Sequence, residues 1–393
     1  MKIPRLDPNE GTFSIDLWKR FCNRYGEKRS REIVQSLSRP VMDFAVRGTI
    51  TKISREDVIE LFEEAGWKAS PHKILSEMLT VKTRGRFTVP FFSDVPRMVL
   101  DKVAAESVFI GSDLFVVGIK RMPKINPGDL VSMVSPMDQI VATGISRISS
   151  KMVKSKGIAV DNTTSFFETP SLRKIVVIES GIAQSQSIPA AYVGHVLDPK
   201  PNDKIIDLCA APGGKSTSAA ILSNNKANII AFDRSKKRLT RMSELVRNQD
   251  LSGIEIVKAN SVEYVKQHTI KADKVIVDPS CSAVGVRPKT YDETQNSDIF
   301  NVANYQKSFL WAAAKIVRKR GIITYSTCTL EPEENEKVIS YAVNNLGLKL
   351  VEPDILLGTH GEDTGNGLTL EYMRRFYPDQ HDTPGFFVAK LTK

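Results

Sequence analysis

The chain has 393 residues, 41% of them hydrophobic and 25% charged, with a net charge of +10. That length allows two to four domains with a full core, and the basic balance suits either a nucleic-acid partner or a merely basic soluble protein. No apolar run is long enough to span a membrane and Met1–Asp7 lacks the apolar stretch of a signal peptide, so a cytoplasmic protein is expected.

Residues 1–88 read as a mixed α/β segment. Helices are expected over Ile15–Tyr25 and Arg29–Leu37, ended by Pro40, with a strand over Met42–Arg47. Ser54 with Asp57 signals a helix start, and Val58, Leu61, Phe62 and Ala65 then share one face. Residues 89–168 read as all-β, with short apolar runs at 113–119, 130–134, 140–146 and 158–160. Pro127-Gly128-Asp129 and Gly144 punctuate them, as in a small barrel. Residues 169–393 alternate strand and helix. Strands are expected at 204–209, 227–232, 255–258, 274–278 and 321–327, and helices at 236–248 and 304–318. This rhythm predicts an α/β fold with a doubly wound, mostly parallel sheet whose ligands sit at the carboxyl ends of its strands.

Chemistry-bearing residues fall at those strand ends. After the first strand comes Cys209-Ala210-Ala211-Pro212-Gly213-Gly214-Lys215, which reads as a cofactor loop opening a helix. A P-loop would need glycine where Cys209 stands, and the dinucleotide Gly-x-Gly-x-x-Gly pattern is missing. Asp233 ends the second strand and can accept both ribose hydroxyls of an adenosyl ligand. Asn260 follows the third strand and offers its carbonyl oxygen to an adenine amino group. Taken singly, Asp233 reads equally as a cap and Asn260 as a turn residue; together they point to S-adenosylmethionine. The four cysteines, Cys22, Cys209, Cys281 and Cys328, include no Cys-x-x-Cys pair, and the five histidines are scattered. Unpaired thiols and no metal site are therefore expected, with Cys22 a packing residue.

The order of the cofactor loop, Asp233, Asp278-x-x-Cys281 and Thr327-Cys328 resembles the Sun (Fmu) family of RNA cytosine-5 methyltransferases, through Asp382-Thr383-Pro384-Gly385-Phe386-Phe387. The resemblance implies a Rossmann-like class I methyltransferase domain, S-adenosylmethionine as cofactor, and cytosine as substrate. Carbon 5 of cytosine is a weak nucleophile, and a thiolate adding at carbon 6 makes it enamine-like. In the family the attacking thiol matches Cys328, while the thiol matching Cys281 assists product release. Asp278 is expected to engage ring N3, and Lys215 to support the site. The family's Asp-x-Pro-Cys stands here as Asp278-Pro279-Ser280-Cys281, and Asn260 replaces a usual acidic residue. A helix start at Glu331-Pro332-Glu333-Glu334 is expected to lower the Cys328 pKa, with those carboxylates opposing it and Lys215 compensating.

Residues 107–160 resemble a PUA RNA-binding module, with Lys151, Lys154 and Lys156 as candidate phosphate contacts. Phe44–Arg47 and Thr51–Glu56 resemble the small RNA-binding domain that precedes the catalytic domain in this family. That domain order, with Gly285-Val286-Arg287-Pro288, is similar to the branch acting on tRNA at cytosine 72, beside the 3′ CCA end. A monomer without metal is expected. The alternatives are a ribosomal RNA cytosine-5 methyltransferase and a non-catalytic RNA-binding assembly factor, the latter motivated by Ser280 and Asn260.

Overall fold

The computed structural model describes residues 12–151, 156–173, 175 and 180–393; the expectations on Met1–Asp7 and Lys154 fall outside them. The chain divides into two compact units. One comprises Met1–Phe44, Lys82–Ser171 and Arg287–Glu293; the other comprises Ala45–Val81, Leu172–Val286 and Thr294–Lys393. This differs from a three-way division at 88 and 168. The backbone ladder supplies the reason. Strand Asp43–Gly48 pairs with Ala183–Ser185 and neighbours Met78–Lys82, so strands from the second half of the presumed N-terminal domain share a sheet with the C-terminal part.

In the first unit, the helical span Ile15–Leu37 breaks at Gly26, where φ is 75°, into two helices as expected. Strand Thr12–Phe13 pairs in parallel with Tyr291–Asp292, which ties that distant insertion to this unit. Residues 97–165 form a six-stranded sheet that includes Leu130–Val134 and Ile140–Ser146, the two strands whose bounds the sequence pattern matches. The run at 113–119 instead breaks into Leu114–Phe115 and a 3₁₀ turn over Val116–Gly118. Met98, Leu100, Val131, Met133, Val141 and Ala159 fill the core of this barrel-like sheet.

The second unit is built on a nine-stranded sheet. Its parallel part consists, in spatial order, of Ile254–Lys258, Asn228–Asp233, Lys204–Asp207, Ala272–Val277 and Val317–Thr327. Counted along the chain the order is 3-2-1-4-5, the doubly wound arrangement that the alternating pattern predicts. The antiparallel strand Phe386–Thr392 then follows Val317–Thr327. Ile206, Val275, Val277, Ile323 and Leu391 are buried between the sheet and the helices that cover it. Strand order reverses between Lys204–Asp207 and Ala272–Val277, and a crevice opens outside their carboxyl ends. Among the described residues no helix is long and apolar enough to cross a membrane, and no group of three metal-ligating side chains is placed to hold a metal.

Candidate active site

Each strand of the parallel sheet delivers one part of the site. Lys204–Asp207 leads into the glycine loop, where Gly213 caps the helix Gly214–Leu222 at φ 109°. Side chains other than glycine avoid that backbone conformation, and a Cβ there would lie 2.9 Å from Met242 Cγ. Asp207 braces the loop from beneath. Its carboxylate accepts from Ser216 Oγ at 2.6 Å and from the Cys209 amide at 3.1 Å. Burial pushes the Asp207 carboxyl up to about 6, against the opposing pull of those two bonds.

An open cleft lies at the carboxyl ends. Cys209, Asp233, Asn260 and Asp278 line it, and so do Tyr305 and Phe309 from the helix Asn296–Ile316. This set fits an adenosyl group. Asp233 offers a carboxylate that is only 6% exposed, suited to paired ribose hydroxyls, and the two aromatics offer an apolar wall to a purine. The remaining predicted loop residues serve behind the cleft. Ala210 and Ala211 pack on Ala231, Leu239 and Met242, Pro212 is exposed, and Lys215 turns toward Asp278. Burial and neighbouring Asp207 push the Cys209 thiol well above its ordinary value, in keeping with packing rather than reactivity.

Asn260 is placed differently from expectation. Its Oδ1 accepts from the Val262 and Glu263 amides and caps the helix Ser261–Gln267. The side-chain NH₂, a donor, is thus the group free to meet a ligand. Arg238 lies 3.4 Å from Asp233 Oδ2, a pairing with no signal in the sequence.

Asp278 and the two thiols complete the site. Lys215 Nζ donates to Asp278 Oδ2 at 2.6 Å and Ser326 Oγ donates to Oδ1 at 2.7 Å, so both carboxylate oxygens are oriented. Ser326 stands two residues before Cys328, near the end of the strand Val317–Thr327, and that spacing is the signal that could have found it. The Cys281 and Cys328 sulfurs lie 3.2 Å apart, both half-buried and not joined in a disulfide. The hydrogen bond to Cys328 first, and burial second, push the Cys281 thiol well above its ordinary value. Cys281 therefore keeps its proton, and either sulfur can act as donor in the contact between them.

The expected helix start after Cys328 is displaced. Residues 332–335 form turns and the helix runs Glu336–Leu346, with Asn335 as its cap. The helix start nevertheless stays beside the thiol in space, because Asn335 accepts from Thr327 Oγ1 at 2.5 Å and donates from Nδ2 to the Thr329 carbonyl at 3.1 Å. Lys215 is already paired with Asp278, which reduces the compensating charge it offers the thiols.

Comparison with known proteins agrees with this geometry. The profile of the family described as 16S rRNA methyltransferase RsmB/F matches residues 194–392, and that of the PUA domain matches residues 96–166. A tRNA (cytosine(72)-C(5))-methyltransferase of Pyrococcus horikoshii is 37% identical over 97% of each chain. The tRNA (cytosine(72)-C(5))-methyltransferase NSUN6 of Mus musculus is 27% identical over 86% of this chain and 83% of its own. The crystal structure of NSun6 from Pyrococcus horikoshii with SFG superposes with a TM-score of 0.88 at 37% identity, covering 97% of this chain and 98% of that one.

Proposed function

This chain belongs to the RsmB/F family of S-adenosylmethionine-dependent RNA cytosine-C5 methyltransferases, and from that premise we propose that it methylates carbon 5 of cytosine 72 in the tRNA acceptor stem. The PUA domain holds the adjoining 3′ CCA end, and the protein acts as a cytoplasmic monomer without metal. The tRNA target is supported by similarity along 97% of the chain to an enzyme named for that nucleotide.

The observation that carries the chemistry is the pair of sulfurs 3.2 Å apart beside the Lys215–Asp278 pair. S-adenosylmethionine, when bound along Asp233, Asn260 and the Gly213 loop, supplies an electrophilic methyl group. Cys328 as thiolate adds to carbon 6 of the base, and the electron pair displaced from the 5,6 double bond moves toward N3. Asp278 meets N3 as the carboxylic acid and gives it a proton, and the carboxylate left behind is stabilised by Lys215 and Ser326. Carbon 5 then takes the methyl group. A base removes the carbon-5 proton, the double bond re-forms, and the bond from Cys328 Sγ to carbon 6 breaks. Cys281, protonated and in contact with the departing sulfur, assists this last step.

Bisulfite mapping of tRNA methylated in vitro tests the assignment, since it reports activity, base and position together. A single protected cytosine at position 72 is expected. Protection confined to ribosomal RNA would replace the tRNA reading, and no incorporation into either RNA would leave a binding protein.

A further inference from the structure

The loop that carries Cys281 makes no strand pairing between Val277 and Tyr291; its backbone meets that of Cys328 and Gly385 at Gly285, and side chains hold the residues flanking Cys281. Two buried side chains do so. Glu334 Oε2 accepts from the Ser282 amide at 3.0 Å and from Gln306 Nε2 at 2.9 Å. The same Gln306 amide donates to the Ser280 carbonyl at 3.1 Å. The residues on either side of Cys281 are thereby tied to one carboxylate–amide pair. Tyr325, on the strand leading to Cys328, places its hydroxyl 2.9 Å from Gln306 Oε1 and 2.6 Å from the Glu334 carbonyl. Gln306 and Glu334 are fully buried, and Glu334 Oε1 has no hydrogen-bond partner.

That burial is costly. Desolvation pushes the Glu334 carboxyl up, while its bonds to Ser282 and Gln306 pull it down. An apolar pair would fill this space more cheaply, so the polar pair is explained by what it fixes in place. Cys328 has further anchors besides this pair, although Gly285 N–H on the Cys281 loop also donates to its carbonyl at 3.0 Å. Thr327 pairs in register with Phe387, and Thr327 Oγ1 bonds Asn335 Oδ1 at 2.5 Å.

We propose that Glu334, acting with Gln306, is a positioning residue for product release. It fixes Cys281 against Cys328, and its loss spares attack and methyl transfer but leaves the methylated RNA attached. The inference rests on the proposed division of labour between the two thiols.

The test uses the full chain with tRNA transcript and S-adenosylmethionine. Steady-state turnover, single-turnover methyl transfer and the fraction of enzyme in an RNA adduct stable to denaturing gels are read together. Glu334→Ala should lower turnover about tenfold, keep single-turnover transfer within about threefold of wild type, and raise the trapped adduct several-fold. Glu334→Gln keeps an acceptor for the Ser282 amide and should recover most of the turnover. Parallel loss of single-turnover transfer with no gain in adduct would overturn the proposal. Should Glu334→Ala not fold, Gln306→Leu carries the test with the same expected and contrary results. Cys281→Ala serves as the reference. No adduct in that variant means that the division of labour itself fails, whereas adduct there and none in Glu334→Ala removes only the role of Glu334.

Discussion

At the residue scale, the site is a set of groups whose properties are set by neighbours. Cys281 is a thiol kept protonated by the sulfur beside it, and Cys209 is a thiol silenced by burial. The proposed attacking and assisting residues, Cys328 and Cys281, were named through the family resemblance, and the structure brings their sulfurs to 3.2 Å. Ser326, Tyr305, Arg238 and Glu334 were not legible, since a serine, an aromatic, an arginine or a glutamate gains a role there only through tertiary proximity. Asp207 carries a pH prediction. Its folded value of about 6 exceeds its ordinary 3.8, so the native state keeps a proton that the unfolded chain has released. The associated stability is fully present below about pH 4 and is lost as pH rises through about 6, amounting to about 3 kcal/mol. Denaturant unfolding across that range should show this decline in the wild type and a flatter profile in Asp207→Asn. Equal slopes in the two proteins would show that the carboxyl is not buried in its charged form.

At the element scale, the helix Gly214–Leu222 is held at its start by Arg47, from the strand Asp43–Gly48. The Arg47 guanidinium is fully buried and donates to the Gly214 carbonyl at 2.7 Å, to Gln186 Oε1 at 2.7 Å and to Thr217 Oγ1 at 2.6 Å. Burial draws its pKa down to about 9 against the opposing charge of Glu77. Arg47→Met should cost about 3 kcal/mol, read as a lower denaturant midpoint, because three buried acceptors lose their partner. It should also weaken S-adenosylmethionine binding several-fold by calorimetry, since the same turn carries Gly213 and Lys215. Unchanged affinity would confine Arg47 to stability. The five parallel strands were legible from their short β-rich runs. The helix Ile188–Leu197 was not, because seven of its ten residues are buried and it shows no polar face to set a period. The same holds for the strand Phe386–Thr392, buried along six consecutive residues.

At the scale of the whole molecule, sequence pattern separated the barrel-like segment from the alternating α/β segment but missed how the chain is shared between them. Residues 45–81 join the methyltransferase unit, while Arg287–Glu293, from within the methyltransferase segment, joins the other. Such exchanges are decided by pairing between distant strands, Asp43–Gly48 with Ala183–Ser185 and Thr12–Phe13 with Tyr291–Asp292, and pairing leaves no local mark. At the centre of the proposed cycle is the separation of attack from release between two adjacent thiols. The most direct measurement is a denaturing gel of Cys281→Ala, Cys328→Ala and the double variant after incubation with tRNA and S-adenosylmethionine. A slow-migrating protein–RNA band should appear with Cys281→Ala and be absent with Cys328→Ala and with the double variant. A band with Cys328→Ala and none with Cys281→Ala would contradict the assignment and exchange the two roles.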